Sequence, residues 1–490
     1  MTGRFAAEQL RALFDPRGVI VAGASAHPGK FGFVALHNIL RCGYEGRVFA
    51  TNLEGGSVLG IDTVRSVDEV PDGEADLAFV CTPAAANVAL LKSCAARGVR
   101  ATFVTSAGYA EAGGDGERAQ RELVAAAEDA GILLAGPNGQ GLVSTPARLC
   151  AQIVGPYPPA GRIGLASQSG NLASALMNMA VASGVGISRA ISAGNAAMAS
   201  VGDYLEWFGE DDETAVGLAY VEGIDDGRAF FERMREVARS KPVVLVKGGA
   251  TAGGQRAAAS HTGALASDDR IFDGACRQAG LTRATTIEEA FDAAATFATQ
   301  PLPKGPNTAV VTTAGGWGVI TADAIARSGL LLAPLADDLR ASIDEKLPPR
   351  WSRNNPVDIA GAETRDTIPE VLEMVARHPS IDAVVYLGLG IQSNEAQLMK
   401  TGPFHPDHGI ERIVSFHERQ DARYAEAAAA VSEETGKPVL TATELGVTAP
   451  DNPGPAAVRA SGKYCYPSAD RAVRALEHMW RYARHRAARS

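Results

Sequence analysis

The sequence predicts an α/β protein of parallel sheets: a Rossmann-like domain over residues 1–150, then two flavodoxin-like domains over residues 151–300 and 301–490. Three observations carry that expectation. Short β-branched runs alternate with longer Ala/Leu/Glu/Arg segments, the pattern of strands joined in parallel through helical crossovers. Two Pro/Gly-rich stretches, Gly155–Gly161 and Gln300–Pro306, interrupt the alternation as domain joints do. The second and third blocks, finally, repeat one another in order.

The opening segment reads as a short polar helix leading into a strand. In the first block Val19–Ala22, Arg47–Ala50, Leu77–Val80 and Ala101–Thr105 read as buried parallel strands, with helices over Ala84–Arg97 and Asp115–Ala130 between them. The second block opens on the strand and glycine turn Arg162–Gly170, and the third on Asn307–Gly316. Ala215–Tyr220 then parallels Ala383–Gly388, and Lys241–Leu245 parallels Lys437–Thr441. This is the mark of a duplicated flavodoxin-like unit. The copies differ where chemistry could sit: only the first carries Glu222 after its Tyr strand, and only the first continues into Ser260-His261-Thr262-Gly263.

Bulk properties exclude several classes of function. The 490 residues carry a net charge of −10 and no Lys/Arg-rich run, which argues against nucleic-acid binding. No apolar stretch is long enough to span a bilayer, and the start lacks the apolar core of a signal peptide. Six cysteines without a C-x-x-C pair suggest reduced thiols in a cytoplasmic protein. His405, His408 and His417 cluster in a loop segment absent from the first copy, and their spacing fits no standard metal motif, so no metal site is expected.

The first strand runs into Gly23-Ala24-Ser25-Ala26-His27-Pro28-Gly29-Lys30. A glycine turn between strand and helix lets backbone N–H groups approach a pyrophosphate, which the helix start then favours. The second strand ends in Thr51-Asn52, with no acidic residue directly after it to accept from a ribose 2′-hydroxyl. That speaks against NAD and leaves room for a nucleotide whose ribose carries a phosphate, such as coenzyme A, which Lys30 could meet as a point charge. Pro83 and Ser106-Ala107 follow later strands at the carboxyl edge of the sheet, where ligands bind in such folds. Asn138 sits in the tight turn Gly136–Gly141.

Ser167-Gln168-Ser169-Gly170-Asn171 lies between a strand and a helix, where hydroxyls and unpaired N–H groups make an anion site. Ala314-Gly315-Gly316-Trp317-Gly318 is its counterpart in the second copy, and the pair suggests one shared phosphate. His261 stands among small residues that leave its ring uncrowded for phosphoryl transfer. A lone histidine is more often structural, but Glu222 changes the balance. Placed just past a strand of the same domain, it could accept from Nδ1–H, fix the tautomer and leave Nε2 to attack.

At these residues the chain resembles the NDP-forming acyl-CoA synthetases, the superfamily of ADP-forming acetate–CoA ligase and succinyl-CoA synthetase. The resemblance rests on Val21–Ser25 with Pro28-Gly29-Lys30, Gly136-Pro137-Asn138, Ser167–Gly170, Ser192–Asn195, Lys247-Gly248-Gly249 through Ser260–Ala264, and Asn355–Asp358. It implies that the first domain binds CoA, with Gly23, Ala24, Ser25, Pro28, Lys30, Asn52, Pro83, Ser106, Ala107 and Asn138 as candidate contacts. It implies that the other two are succinyl-CoA synthetase-like ligase domains. His261 would be the phosphorylated histidine and Glu222 its supporting carboxylate, cradled by Ser167, Ser169, Gly170, Asn171 and by Gly315, Gly316, Gly318. The implied reaction takes a carboxylic acid, CoA and ATP to an acyl-CoA through an acyl phosphate. No segment remains for an ATP-grasp module, so ATP/ADP and Mg²⁺ are expected on a separate β-type subunit, and the assembly is expected to be a hetero-oligomer or a homodimer. Two positions depart from relatives: Gly139-Gln140 where many have Cys, and Met198 where the family has Asp, with Asp203 following. Apolar Met198 and Trp317 beside the motif loops point to an acid other than a dicarboxylate.

Two other functions compete. A catalytically silent CoA- or acyl-CoA-binding regulatory protein would have no need for both His261 and Glu222. An NAD(P)-dependent oxidoreductase lacks its acidic residue after the second strand and leaves the duplication unexplained.

Overall fold

The computed structural model describes residues 4–251, 253–254, 256, 269–359, 361, 366–445, 449 and 451–489. The chain forms two compact units, residues 1–182 with 186–290 and residues 183–185 with 291–490.

The first unit holds two sheets. One is built from β1 (Gly18–Ala22), β2 (Arg47–Thr51), β3 (Ser57–Val58), β4 (Ile61–Val64), β5 (Leu77–Val80), β6 (Ala101–Val104) and β7 (Leu133–Ala135). Its order is β3-β4-β2-β1-β5-β6-β7, parallel throughout except for β3 against β4. The inner strands β1 and β5 are buried at every residue, as the β-branched runs predicted. Covered on both faces by helices, they need no polar alternation.

The second sheet contains β8 (Gly141–Ser144), β9 (Leu149–Gln152), β10 (Ala160–Ser167), β11 (Ile187–Ser192), β12 (Val216–Val221), β13 (Val243–Lys247) and β14 (Thr282–Ala284), in the order β14-β13-β12-β10-β11-β8-β9. Its β8 and β9 lie before the first Pro/Gly joint yet join this sheet, β8 antiparallel to β11 and β9 antiparallel to β8. The opening helix, Ala7–Phe14, is less polar in place than it reads. Its Leu10, Leu13 and Phe14 are buried, and Phe14 stacks on Trp207 at 4.8 Å between ring centres. Directly after it, Asp15 pairs with the buried guanidinium of Arg189 on β11 at 2.6 Å.

The expectation of six reduced thiols is corrected here. Cys42, at the end of the Phe31–Arg41 helix, is bonded to Cys150 on β9, with Cα atoms 6.1 Å apart. They are separated by 108 residues in sequence, so no local spacing could announce the pair.

The second unit carries β15 (Asn307–Thr312), β16 (Leu331–Leu332), β17 (Val357–Asp358), β18 (Ala383–Leu387), β19 (Val439–Ala442) and β20 (Cys465–Tyr466). The path is β16-β15-β18-β19-β20, with β17 also on β15, all parallel. Asp292 anchors the Ala469–Ala487 helix through Arg471 at 2.6 Å and accepts from the Tyr464 hydroxyl at 2.7 Å. His417 corrects the reading of a histidine-bearing loop. It lies in the 26-residue helix Ile410–Thr435, whereas His405 sits before that helix with Nε2 2.8 Å from Glu411. Among the described residues no helix is long and apolar enough to cross a membrane.

Candidate active site

Each sheet has a point where the chain leaves one strand in one direction and returns on its other side. Side chains beyond the carboxyl ends of the two strands diverge there and leave a crevice. In the first sheet this point lies between β1 and β5. Gly23 to Lys30 follow β1, and Pro83 follows β5 as the cap of the Ala84–Ala96 helix. Gly23 adopts φ 84°, and a Cβ on Gly32 would lie 2.0 Å from the Gly23 carbonyl oxygen. Helix and loop therefore touch backbone to backbone, the close approach a pyrophosphate cradle needs. Pro28 and Lys30 are exposed on its rim.

Not every predicted contact faces outward. Ala24 is buried, its N–H donates to the Thr51 carbonyl at 2.9 Å, and its own carbonyl accepts from Asn52 Nδ2 at 3.0 Å. The Ser25 hydroxyl accepts from the His27 N–H at 3.1 Å. These three residues shape the loop with the very groups that a ligand would otherwise meet. Ser106, after β6, accepts from Asn87 Nδ2 at 2.9 Å, and its carbonyl accepts the Asn138 N–H at 3.1 Å, while Ala107 beside it is exposed.

The second sheet switches between β10 and β12. Ser167 ends β10 and starts a tight hydroxyl-closed turn: its Oγ donates to the Ser169 carbonyl at 2.6 Å and accepts the Ser169 N–H at 3.2 Å. Gly170 and Asn171 then open the Gly170–Ser183 helix. Glu222 stands one residue beyond β12, across the same crevice. Gln168 joins the two sides. Its Oε1 accepts from the backbone N–H groups of Glu222 at 2.5 Å and Gly223 at 3.2 Å, and its Nε2 donates to the Gly223 carbonyl at 3.0 Å. Tyr220 donates its hydroxyl to Glu222 Oε1 at 3.2 Å. Burial, with the carboxylate beside it, pushes the phenol up to about 12, so it remains a donor at neutral pH. His261 and its neighbours Ser260, Thr262 and Gly263 lie outside the described residues. Lys247, at the end of β13 before that segment, has its ammonium lowered by burial, with Asp269 pulling the other way.

In the second unit the switch falls between β15 and β18, and Gly315, Gly316 and Gly318 follow β15. Thr312 there repeats the turn of Ser167: its Oγ1 donates to the Ala314 carbonyl at 2.9 Å and accepts the Ala314 N–H at 3.0 Å. Two strand ends with the same hydroxyl-closed turn into a glycine-started helix make the duplication physical. Gly315 is packed so that a Cβ would lie 2.5 Å from Asp358 Oδ2.

Sequence reasoning named Asn195 and Gln140 but missed the partners through which they hold these loops in place. Asn195, after β11, donates Nδ2 to Glu111 Oε2 at 2.5 Å and to Gln120 Oε1 at 2.9 Å, and its Oδ1 accepts from Asn138 Nδ2 at 3.3 Å. Gln140 donates Nε2 to Asn171 Oδ1 at 3.1 Å and accepts from the Ser174 hydroxyl, also at 3.1 Å, so it lies along the phosphate-loop helix. Each is a tertiary contact between distant segments, with no local pattern to reveal it. The motif Ser192–Asn195 was visible, but its partner Glu111 was not. One further expectation is corrected. Met198 is buried in the core beneath β7, its sulfur accepting the Leu134 N–H at 3.3 Å, so it says nothing of the acid. Asp203 does not replace the missing motif carboxylate: it caps its own helix at Ser200 and pairs with Arg233 at 2.8 Å.

Residues 17–144 match the CoA binding domain family, residues 160–297 the succinyl-CoA ligase like flavodoxin domain, and residues 308–391 the ligase-CoA domain. The chain is 33% identical over 482 residues to the alpha subunit of acetate–CoA ligase (ADP-forming) I of Pyrococcus furiosus, covering 98% of both chains. To the alpha subunit of isoenzyme II from the same organism it is 36% identical over 373 residues, 76% of this chain and 80% of the relative. A solved structure of acetyl-coenzyme A synthetase 1 from Ca. Korarchaeum cryptofilum, in complex with phosphate and ADP, superposes with a TM-score of 0.83 at 30% identity, covering 98% of both chains. Three successive crevices at sheet switch points, matched domain by domain and over the full length of a relative, identify the chain as a member of the ADP-forming acid–CoA ligase family, of the alpha type.

Proposed function

We propose that the chain is the CoA-binding, phosphoryl-carrying subunit of an ADP-forming acid–CoA ligase, with His261 as the carrier. The observation that supports this most directly is the meeting of Glu222 and the Ser167–Asn171 turn at one switch point, tied together by Gln168. In the direction of acyl-CoA consumption, a phosphate oxygen attacks the acyl carbon and the CoA thiolate leaves, giving an acyl phosphate. His261 Nε2 then attacks phosphorus, an N–P bond forms and the carboxylate departs. Glu222 accepts from Nδ1–H and stabilises the cationic ring. The backbone N–H groups at Gly170 and Asn171 and the Ser169 hydroxyl stabilise the phosphoryl oxygens, Ser167 closes the turn that presents them, and Gly315, Gly316 and Gly318 supply a second cradle. ADP then accepts the phosphoryl group and leaves as ATP.

The rim around Gly23, Pro28, Lys30, Pro83, Ser106, Ala107 and Asn138 binds CoA, with Ala24, Ser25 and Asn52 shaping its floor. Work divides as CoA binding over residues 1–150, the carrier domain over 151–300 and its duplicate over 301–490, with β8 and β9 reaching from the first into the second. ATP, ADP and Mg²⁺ belong to an ATP-grasp β-type partner in a hetero-oligomer, in keeping with the alpha designation of the relatives. The substrate is a small carboxylic acid, with acetate the first to test because relatives carry its name. The cytoplasm, which supplies CoA and nucleotide, is the proposed location.

The test is labelling with radioactive phosphate and a panel of acyl-CoAs, acetyl-CoA first. Wild type should acquire one acid-labile phosphoryl group, His261→Ala none, and Glu222→Gln about 10²- to 10⁴-fold slower labelling, the range for a positioned acid–base partner. A wild-type chain that stays unlabelled with its ATP-grasp partner and the whole panel supplied would sink the proposal.

A further inference from the structure

Two loops from different sheets meet over the predicted CoA rim of the first unit. One follows β6 and carries Ser106 and Ala107; the other follows β11 and carries Asn195. Glu111 is the group that grips both. Its Oε1 accepts the N–H groups of Gly108 at 2.6 Å and Tyr109 at 3.1 Å, which fixes the first loop from behind. Its Oε2 accepts Asn195 Nδ2 at 2.5 Å, and Asn195 Oδ1 in turn accepts Asn138 Nδ2 at 3.3 Å. The backbone follows the same path. The Asn138 N–H donates to the Ser106 carbonyl at 3.1 Å, and the Asn195 N–H to the Pro137 carbonyl at 2.9 Å.

The geometry of donors and acceptors makes the arrangement directional. An ionised carboxylate accepts only, so Asn195 must present its NH₂ to Glu111 and its carbonyl oxygen to Asn138. Asn138 is thereby held with its amide turned toward Asn195, in a left-handed backbone conformation of φ 61° that a free loop would leave readily. Partial burial pushes the Glu111 carboxyl upward, but the bonds from Asn195, Gly108 and Tyr109 outweigh it and hold the group below the usual carboxylate range. Hydrogen bonds to an ionised acceptor are about twice as strong as neutral ones.

We propose that Glu111, acting through Asn195, is a positioning residue for coenzyme A: it locks the Ser106–Ala107 loop and Asn138 into the one arrangement that receives the ligand. The proposal rests on the reading that Ser106, Ala107 and Asn138 line the CoA site. It requires no contact between Glu111 and CoA. It also makes the CoA rim dependent on the β11 loop of the carrier sheet, so the two sheets share one set of hydrogen bonds at the site.

The test measures CoA binding to the full-length chain by titration calorimetry, with the melting temperature recorded in the absence of CoA. Glu111→Gln keeps an acceptor for Gly108 and Tyr109 but faces Asn195 with a second donor; Asn195→Asp faces Glu111 with a second carboxylate. Each single variant should bind CoA at least about tenfold more weakly, with a ligand-free melting temperature close to wild type. In the double variant Glu111→Gln/Asn195→Asp the introduced amide can donate to the introduced carboxylate, and affinity should return to within a few-fold of wild type. Single variants that bind like wild type, a double variant no better than the weaker single, or a loss of affinity that tracks a lowered melting temperature would each overturn the proposal. A wild type that binds CoA while Asn138→Ala and Ser106→Ala leave affinity unchanged would instead show that the underlying site assignment is wrong.

Discussion

Gly139 is packed where no other side chain fits. A Cβ there would lie 2.5 Å from the Ser192 carbonyl oxygen and 2.6 Å from the Phe103 ring. The residue departs from the Cys of many relatives, and the departure is answered by this packing: Phe103 and the β11 end occupy the space. Gly139→Cys, the reversion toward relatives, should therefore destabilise the first unit by about 1–3 kcal/mol, the usual cost of overpacking. Urea denaturation should show a lower midpoint at unchanged slope; a midpoint equal to wild type would mean that Phe103 gives way freely. The placement of Glu222 and the Ser167–Asn171 turn was legible in the sequence, because each directly follows a readable strand and the two strands flank one switch point. A side chain's role was not legible where it depends on what lies opposite. Met198 read as an apolar neighbour of the motif loops and is core; Asp203, which follows it, is a helix cap with an Arg233 partner. The bridging roles of Glu111 and Gln168 were not legible because Asn195 and Glu222, which they reach, are 84 and 54 residues away.

Secondary elements were the most readable level. The strands over Val19–Ala22, Leu77–Val80 and Ala383–Leu387 sit in the interior of their sheets, so burial on both faces imposes the unbroken apolar run by which they are recognised. Edge elements were harder. The short edge strand β9 and its neighbour β8 lack such runs, and they enter the second sheet through the pairing of β8 with β11. The opening helix is a similar case. Leu10, Ala12, Leu13 and Phe14 are buried, a stripe too brief to announce burial, yet Phe14 is fully enclosed and stacks on Trp207. Phe14→Ala should cost about 3–5 kcal/mol, as for other buried aromatic truncations. The loss should appear as a lowered denaturant midpoint for the first unit, with faster hydrogen exchange in residues 201–210, the helix that carries Trp207. Unchanged exchange there would show that the opening helix docks without supporting its neighbour.

At the scale of the whole chain, the Cys42–Cys150 bond spans 108 residues and joins the end of the helix after the Gly23–Lys30 loop to β9 of the second sheet. It therefore ties the two sheets of the first unit covalently, at the end of the Phe31–Arg41 helix opposite the predicted ligand rim. Closing a loop of this length restricts the unfolded chain, by about 4–5 kcal/mol in the chain-entropy description. The other four cysteines, Cys81, Cys94, Cys276 and Cys465, are free, and burial pushes the thiols of Cys94 and Cys276 up to about 12, which keeps them unreactive in the folded state. Thiol titration of protein purified without reductant and then denatured should thus find four thiols, and six after reduction. Six before reduction would mean that the pair stays reduced as the protein is made, as in a cytoplasm that keeps thiols reduced. Where four are found, reduction should lower the stability of the first unit while the second, which contains neither Cys42 nor Cys150, keeps its hydrogen-exchange protection. Equal loss in both units would show that they unfold as one cooperative body.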